Sequence, residues 1–274
     1  METPAHPDLV IDDPSLEGPL AFVGGPYGND RALRAVLEDA VQRGASRIFC
    51  LGDLGGFGPY PERVLPLLDE FEVITLAGNY DRALSEGSGS CGCGYTHPDD
   101  NRFARIAYAY TSRRTSDAER MRFGALPRHI RFLRGGARYL LCHGSPRRVN
   151  EFLWESACSD AFLERIAREA AADIVLCSHT GLPWTRVLPS GARFVNVGAV
   201  GRPANDGRTQ AWYAWLPGSS RDVELVPVPY DHDAVARDME REGLPPEFAN
   251  TIRTGWWTTC LEVLPARERA RGRF

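Results

Sequence analysis

Four short apolar runs in this chain each end in a side chain able to ligate a metal. They are Arg47–Ile48–Phe49–Cys50–Leu51–Gly52–Asp53, Val73–Ile74–Thr75–Leu76–Ala77–Gly78–Asn79, Tyr139–Leu140–Leu141–Cys142–His143 and Ile174–Val175–Leu176–Cys177–Ser178–His179. Runs of this length and content read as buried strands. In open α/β sheets, ligands gather in the crevice beyond the carboxyl ends of the strands. Asp53, Asn79, His143 and His179 at one rim would offer a carboxylate, an amide oxygen and two imidazoles. That N/O donor set suits a divalent transition ion (Mn, Fe, Zn, Co or Ni), and the Irving–Williams order gives no means of choosing among them. Taken singly, each residue is equally well explained as a polar cap on its strand. Together they point to one ion.

The elements that must position these residues alternate. Residues 19–23 read as a first strand, and residues 24–28 as a loop. A helix follows from Asn29, with Leu33, Val36, Leu37, Ala40 and Val41 on one face. Pro61 is placed to open the next helix. Strand–helix–strand repetition through Asn79 predicts a parallel sheet covered by helices. A Gly/Ser-rich loop over residues 85–100 precedes two helices, at 101–114 and 116–124. Gly135–Gly136 between two apolar runs predicts a hairpin. Another helix over residues 162–170 leads into the strand ending at His179. Short strands over 186–188, 193–197, 210–215 and 223–228 follow, then helices from Asp233 and Pro245. The early and late strand groups predict two packed sheets with helices outside, forming one domain over residues 19–264. The Pro- and acid-rich segment 1–18 is expected to be flexible, and residues 265–274 form an Arg-rich tail.

Composition narrows the function classes. Apolar residues make up 43% of the 274 and charged residues 25%, which is ample material for a core. Every basic side chain is Arg, with no lysine, so Schiff-base chemistry and lysine-dependent phosphate loops are excluded. A net charge of −4 argues against non-specific nucleic-acid binding. No apolar stretch is long enough to span a bilayer, and residues 1–18 lack the pattern of a signal peptide. The expectation is a cytoplasmic protein whose seven cysteines are reduced. Cys50, Cys142 and Cys177 sit inside apolar strands and read as packing residues.

In order and spacing, several motifs resemble those of the calcineurin-like metallophosphoesterases. They are Gly52–Asp53 with Gly58–Pro59, Gly78–Asn79–Tyr80–Asp81, His143–Gly144–Ser145–Pro146 and His179–Thr180. Leu182–Pro183–Trp184, Asn196–Val197–Gly198–Ala199–Val200–Gly201 and Val228–Pro229–Tyr230–Asp231 are similar to the bacterial phosphodiesterase branch. The resemblance covers residues 20–255. It implies an α/β sandwich, with two mixed β-sheets packed face to face and flanked by helices. It also implies two metals: a first held by an Asp-x-His motif, a shared Asp and the last His of His-x-His, and a second held by the shared Asp, an Asn and two His. Position by position, the second site carries over as Asp53, Asn79, His143 and His179. The first does not. Gly25–Pro26–Tyr27 stands at Asp-x-His, and His179–Thr180–Gly181 stands at His-x-His. Tyr80 replaces a His that assists the leaving group in the family.

One ion rather than two is therefore expected. The implied activity is hydrolysis of a phosphodiester or phosphomonoester, with Asp53 and Tyr80 as catalytic residues and a small phosphoester or nucleotide as ligand. Asn29, Arg147 and Arg202 are candidate phosphate contacts. Asn29 would serve equally as a helix N-cap. Tyr27, Cys91, Cys93 and His97 could rebuild a first site, although Cys-x-Cys with one His falls short of a closed zinc set. The rival expectation is a catalytically inactive relative that binds a metal, phosphate or nucleotide as a regulatory module.

Overall fold

Hydrophobic alternation gives each central strand an inner and an outer face. The computed structural model describes residues 7–218 and 220–270. Its strands are β1 (Asp8–Ile11), β2 (Leu20–Val23), β3 (Arg47–Cys50), β4 (Ile74–Thr75), β5 (His129–Arg134) and β6 (Ala137–Leu141). They continue with β7 (Ile174–Cys177), β8 (Trp184–Val187), β9 (Arg193–Asn196), β10 (Ala211–Leu216) and β11 (Glu224–Val228). The helices are α1 (Asp30–Gln42), α2 (Val64–Glu70), α3 (Asn79–Ser85), α4 (Pro98–Arg114) and α5 (Asp117–Ala125). After these come α6 (Asp160–Glu169), α7 (His232–Arg241), α8 (Pro246–Thr254) and α9 (Ala266–Arg269).

Two mixed sheets result. One runs β1-β5-β6-β7-β9-β8 and the other β11-β10-β2-β3-β4. Leu20 and Phe22 of β2 face inward with Phe49, Leu141, Leu176 and Val195, forming the layer between the sheets. Ala21, Val23 and Cys50 face outward onto Leu33, Val36 and Leu37 of α1. Cys142 and Cys177 pack on the outer side against Leu163 and Ile166 of α6. The three strand cysteines are packing residues, as their context predicts. Stacked rings cross the interlayer from Phe22 through Phe49 and Phe132 to Tyr139, with centroids 4.8–5.7 Å apart. No helix among the described residues is long and apolar enough to cross a membrane.

Local signals explain most of the boundaries. The Asn29 side chain caps α1 by accepting from the Ala32 N–H at 3.1 Å. Gly135 and Gly136 have φ of 53° and 73°, as a two-residue turn of type I′ requires. Val41, grouped by spacing with the buried face of α1, is exposed.

Both ends depart from expectation. Residues 8–11 are not loose: β1 pairs in parallel with β5, from Asp8 opposite His129 to Ile11 opposite Phe132. Its largely exposed side chains hide it from a search for apolar runs. Residues 266–269 form α9, where buried Glu268 accepts from the Ser156 N–H at 2.8 Å. The remainder of both terminal segments, residues 1–6 and 271–274, lies outside the described residues.

One buried cation ties the turns together away from the strand-end rim. Arg134, 3% exposed, donates through Nη1 to the Ser220 carbonyl and through Nη2 to those of Gly18, Pro217 and Gly218. Four carbonyls drawn onto one guanidinium lose their acceptor work together if it is removed. Arg134→Met should destabilise the fold by about 3 kcal/mol in urea denaturation, because hydrogen bonds to charged groups are worth about 1.5–3 kcal/mol. A change below about 0.5 kcal/mol, the scale of ordinary surface substitutions, would contradict this role.

Candidate metal centre

Asp53 follows β3 and Asn79 opens α3 after β4, both from the five-stranded sheet. His143 follows β6 and His179 follows β7, both from the six-stranded sheet. All four are buried where the carboxyl ends of the two sheets meet. His143 Nε2 lies 3.1 Å from Asp53 Oδ2, 3.1 Å from Asn79 Oδ1 and 3.2 Å from His179 Nδ1. Its Nδ1 is 2.6 Å from the Leu51 carbonyl, which can only accept, so that nitrogen carries the ring proton. In the neutral ring, Nε2 is then a bare lone pair facing three other electron-rich atoms. A proton on one of these atoms answers part of the set, whereas a shared cation answers all of it. Among the described residues, Asp53, His143 and His179 bring ligand atoms within 4.8 Å of one another. One carboxylate with N and O donors fits a divalent transition ion.

A second layer fixes each ligand. The Asn79 amide donates to the Cys91 carbonyl at 2.8 Å and to Cys93 Sγ at 3.4 Å, which turns its oxygen to the centre. Asp53 Oδ1 accepts the Tyr80 N–H at 3.0 Å, leaving Oδ2 for the centre. The Asn196 amide donates to the Ser178 carbonyl and to Thr180 Oγ1, both at 2.8 Å, and so holds the turn that carries His179. Asp81 is the principal residue that sequence reasoning passed over, although it stood in the quoted Gly78–Asn79–Tyr80–Asp81 motif. Its buried carboxylate accepts the N–H groups of Asp53 and Gly78 at 2.8 Å and of Leu54 at 3.0 Å.

The charges follow from this crowding. Burial pushes Asp53 up, but His143 and His179 outweigh it and hold the carboxyl below its usual range. Burial pulls His143 down, but the Asp53 carboxylate outweighs it and raises that imidazole. His179 is pushed down to about 3 by burial and then by His143. Asp81 is raised to about 6 by burial and by Asp53, against the pull of its N–H donors. An ionised Asp53 and a neutral His179 are the forms in which these side chains ligate metals.

The positions without ligands are filled by packing. The Tyr27 ring lies over Gly25, whose added Cβ would meet ring atoms at 2.4–2.9 Å. Trp257 faces Gly181, its indole 3.5 Å from where a Cβ would sit. Burial and the Asp53 charge raise the Tyr27 hydroxyl far above its usual value, so it remains a phenol rather than a phenolate ligand. Tyr80 is likewise raised by burial and by Asp53. Both rings, Arg202 and Cys93 line a recess with Asp53 and His179.

Other expected site residues are placed elsewhere. Asn29 is fully buried as the α1 cap, and its amide is spent on the Gly201 carbonyl and the Tyr230 hydroxyl. Arg147 is engaged by Glu151 and lies over the Phe162 ring, away from the recess. His97 is exposed and caps α4, its Nδ1 accepting from the Asp99 N–H. Cys91 and Cys93 are joined in a disulfide, so neither offers a thiolate and not all seven cysteines are reduced. The recess also gains Trp257 and Thr259 from the distant C-terminal segment, for which no local signal existed.

Residues 28–216 match the family model described as the calcineurin-like phosphoesterase superfamily domain. An uncharacterized protein of Methanocaldococcus jannaschii is 25% identical over 242 residues, covering 82% of this chain and 93% of that protein. A hypothetical protein from Pyrococcus horikoshii has a similar solved structure, with a TM-score of 0.74 and 21% identity over 88% of this chain and 99% of its own. A metallophosphoesterase from Sphaerobacter thermophilus aligns with a TM-score of 0.67 and 25% identity, over 87% and 99% of the two chains.

Asp81→Asn tests the second layer. An amide at this position turns an NH₂ toward backbone N–H groups that need an acceptor. Metal affinity, titrated after chelator treatment, should fall about 10- to 100-fold, the usual effect of losing an outer-shell partner. Unchanged affinity would show that Asp81 does not hold the Asp53 loop in place.

Proposed function

The chain belongs to the calcineurin-like phosphoesterase superfamily, and from that premise we propose a hydrolase of phosphoric esters working with one divalent transition ion. Asp53, Asn79, His143 and His179 hold the ion in this reading. The observation that carries it is the convergence of Asp53 Oδ2, Asn79 Oδ1 and His179 Nδ1 on His143 Nε2. When bound, such an ion acidifies water and polarises a phosphoryl oxygen.

The remaining work falls to the protein. Asp53 is the one anionic ligand, so the centre keeps net positive charge for an anionic substrate. Tyr80 and Tyr27, held protonated by burial and by Asp53, act as hydrogen-bond donors to phosphoryl oxygens and not as bases. General-acid help from a neutral phenol is weak at neutral pH, since its usual pKa is about 10. The recess leaves about 70 Å³, small beside the roughly 300–1,000 Å³ of typical ligand pockets. That room suits the phosphoryl end of a substrate, with the ester group directed outward past aromatic walls such as Phe103, Phe152 and Phe248. Phosphodiesters, phosphomonoesters and nucleotides all present such an end. The inactive, regulatory reading gains no comparable support from the site.

Elemental analysis of protein purified without added metal should find one ion per chain. Hydrolysis of bis(p-nitrophenyl) phosphate or p-nitrophenyl phosphate should require that ion and return with Mn²⁺ after chelation. Asp53→Ala should lower the rate by at least about 100-fold, since outer-shell losses alone cost about 10–100-fold. Two ions per chain, or turnover indifferent to Asp53, would overturn the proposal.

A further inference from the structure

Arg202 is a buried guanidinium with too few acceptors. It follows the loop after β9 and is 7% exposed. Its Nη2 donates to the Thr259 carbonyl at 2.7 Å and to Thr259 Oγ1 at 3.2 Å. Its Nε is buried without a hydrogen-bond partner among the described residues. The guanidinium carbon lies 3.7 Å from the Trp257 ring centroid and 5.0 Å from that of Phe57. Among the described residues, no carboxylate pairs with it.

Arg134 provides the comparison, because it too is buried, leaves its Nε without a hydrogen-bond partner and, among the described residues, has no carboxylate partner. Four backbone carbonyls, however, surround Arg134 and account for its charge. Arg202 has only the two Thr259 oxygens and the weakly accepting Cys260 sulfur. Aromatic faces offset part of the cost of burying a cation, but they do not use its N–H donors. A charge placed this way calls for an anion, and guanidinium is the group best matched to phosphoryl oxygens.

The recess shows where that anion would lie. Arg202 lines it with Asp53, His179, Tyr27, Tyr80 and Gly181. Its charge reaches Tyr27 and Cys260, pulling both hydroxyl and thiol downward against the stronger effect of burial. Gly25, Tyr27 and Gly181 are the positions at which first-site ligands are missing.

We infer that Arg202 is the phosphate clamp of this centre and supplies the second positive charge that a second metal would otherwise bring. This rests on the phosphoester reading and deepens it. Asp53, Asn79, His143 and His179 would hold the ion that polarises the phosphoryl group, and the Arg202 guanidinium, lining the same recess, would donate to its oxygens. Trp257 and Thr259 aim the guanidinium, so the segment beyond residue 216, outside the family match, completes the phosphate site.

The probe is inorganic phosphate, titrated calorimetrically into the protein as purified, with metal content measured on the same samples. Arg202→Met should weaken phosphate binding at least tenfold while one ion per chain is retained. Arg202→Lys, which keeps the charge and the stem against Trp257, should recover part of that loss. The kcat/KM for an aryl phosphate should fall by at least the same factor in Arg202→Met. If Arg202→Met proves misfolded by its melting curve, the lysine variant decides: phosphate affinity equal to that of the unaltered protein would overturn the clamp. Phosphate affinity within twofold of the unaltered protein in a folded Arg202→Met would also overturn it. The single-ion reading fails separately, through the metal count, whatever the phosphate titrations show.

Discussion

Lone pairs crowded into a buried space govern this structure. Asp53 Oδ2, Asn79 Oδ1, His143 Nε2 and His179 Nδ1 approach within hydrogen-bonding distance, and a proton on one of them satisfies only part of the set. Such an arrangement destabilises a fold unless surrounding groups enforce it. The enforcement is visible on every side. The Leu51 carbonyl fixes the His143 tautomer, the Cys91 carbonyl fixes the Asn79 amide, and Asp81 gathers three backbone N–H groups beneath the Asp53 loop. Asp53 and His179 also adopt left-handed backbone, with φ of 58° and 57°, at about 1–2 kcal/mol per non-glycine residue. Strain of this kind persists only where the surroundings over-determine it.

The close approach of two loops is part of the same enforcement. Gly52 and Gly78 let the ends of β3 and β4 touch. A Cβ on Gly78 would stand 2.2 Å from Asp53 Oδ1, and one on Gly52 would stand 2.1 Å from the Gly78 nitrogen. The glycines before Asp53 and Asn79 are thus spacing devices between two strand ends. The interlayer ring stack sets the distance between the sheets, and with it the reach of His143 and His179 toward Asp53.

The parts of the molecule written in local pattern were readable from sequence. The four candidate ligands end apolar runs, and a run's end is a position that strand geometry alone can assign. The two-sheet architecture followed from the separate early and late groups of strands. Asn29 and Arg147 misled because a nearby partner satisfies each: the start of α1 claims one, and Glu151, on the same loop, claims the other. β1 escaped notice because an edge strand with exposed side chains carries little apolar signal. Trp257 and Thr259 were invisible for a different reason. Their meaning depends on Arg202, more than fifty residues earlier in the chain, and no spacing rule reaches that far.

The ring of Tyr27 lying across Gly25 has an evolutionary consequence. A carboxylate at position 25 cannot be accommodated while that ring remains, because its first carbon would already collide with it. A histidine at position 27 alone would supply one of three missing ligands and lose the ring's packing. A first-site ligand set therefore requires the ring to leave position 27 before a carboxylate enters position 25, and a histidine at position 181 as well. The packing thus acts as a ratchet, holding this sequence to the arrangement it now has.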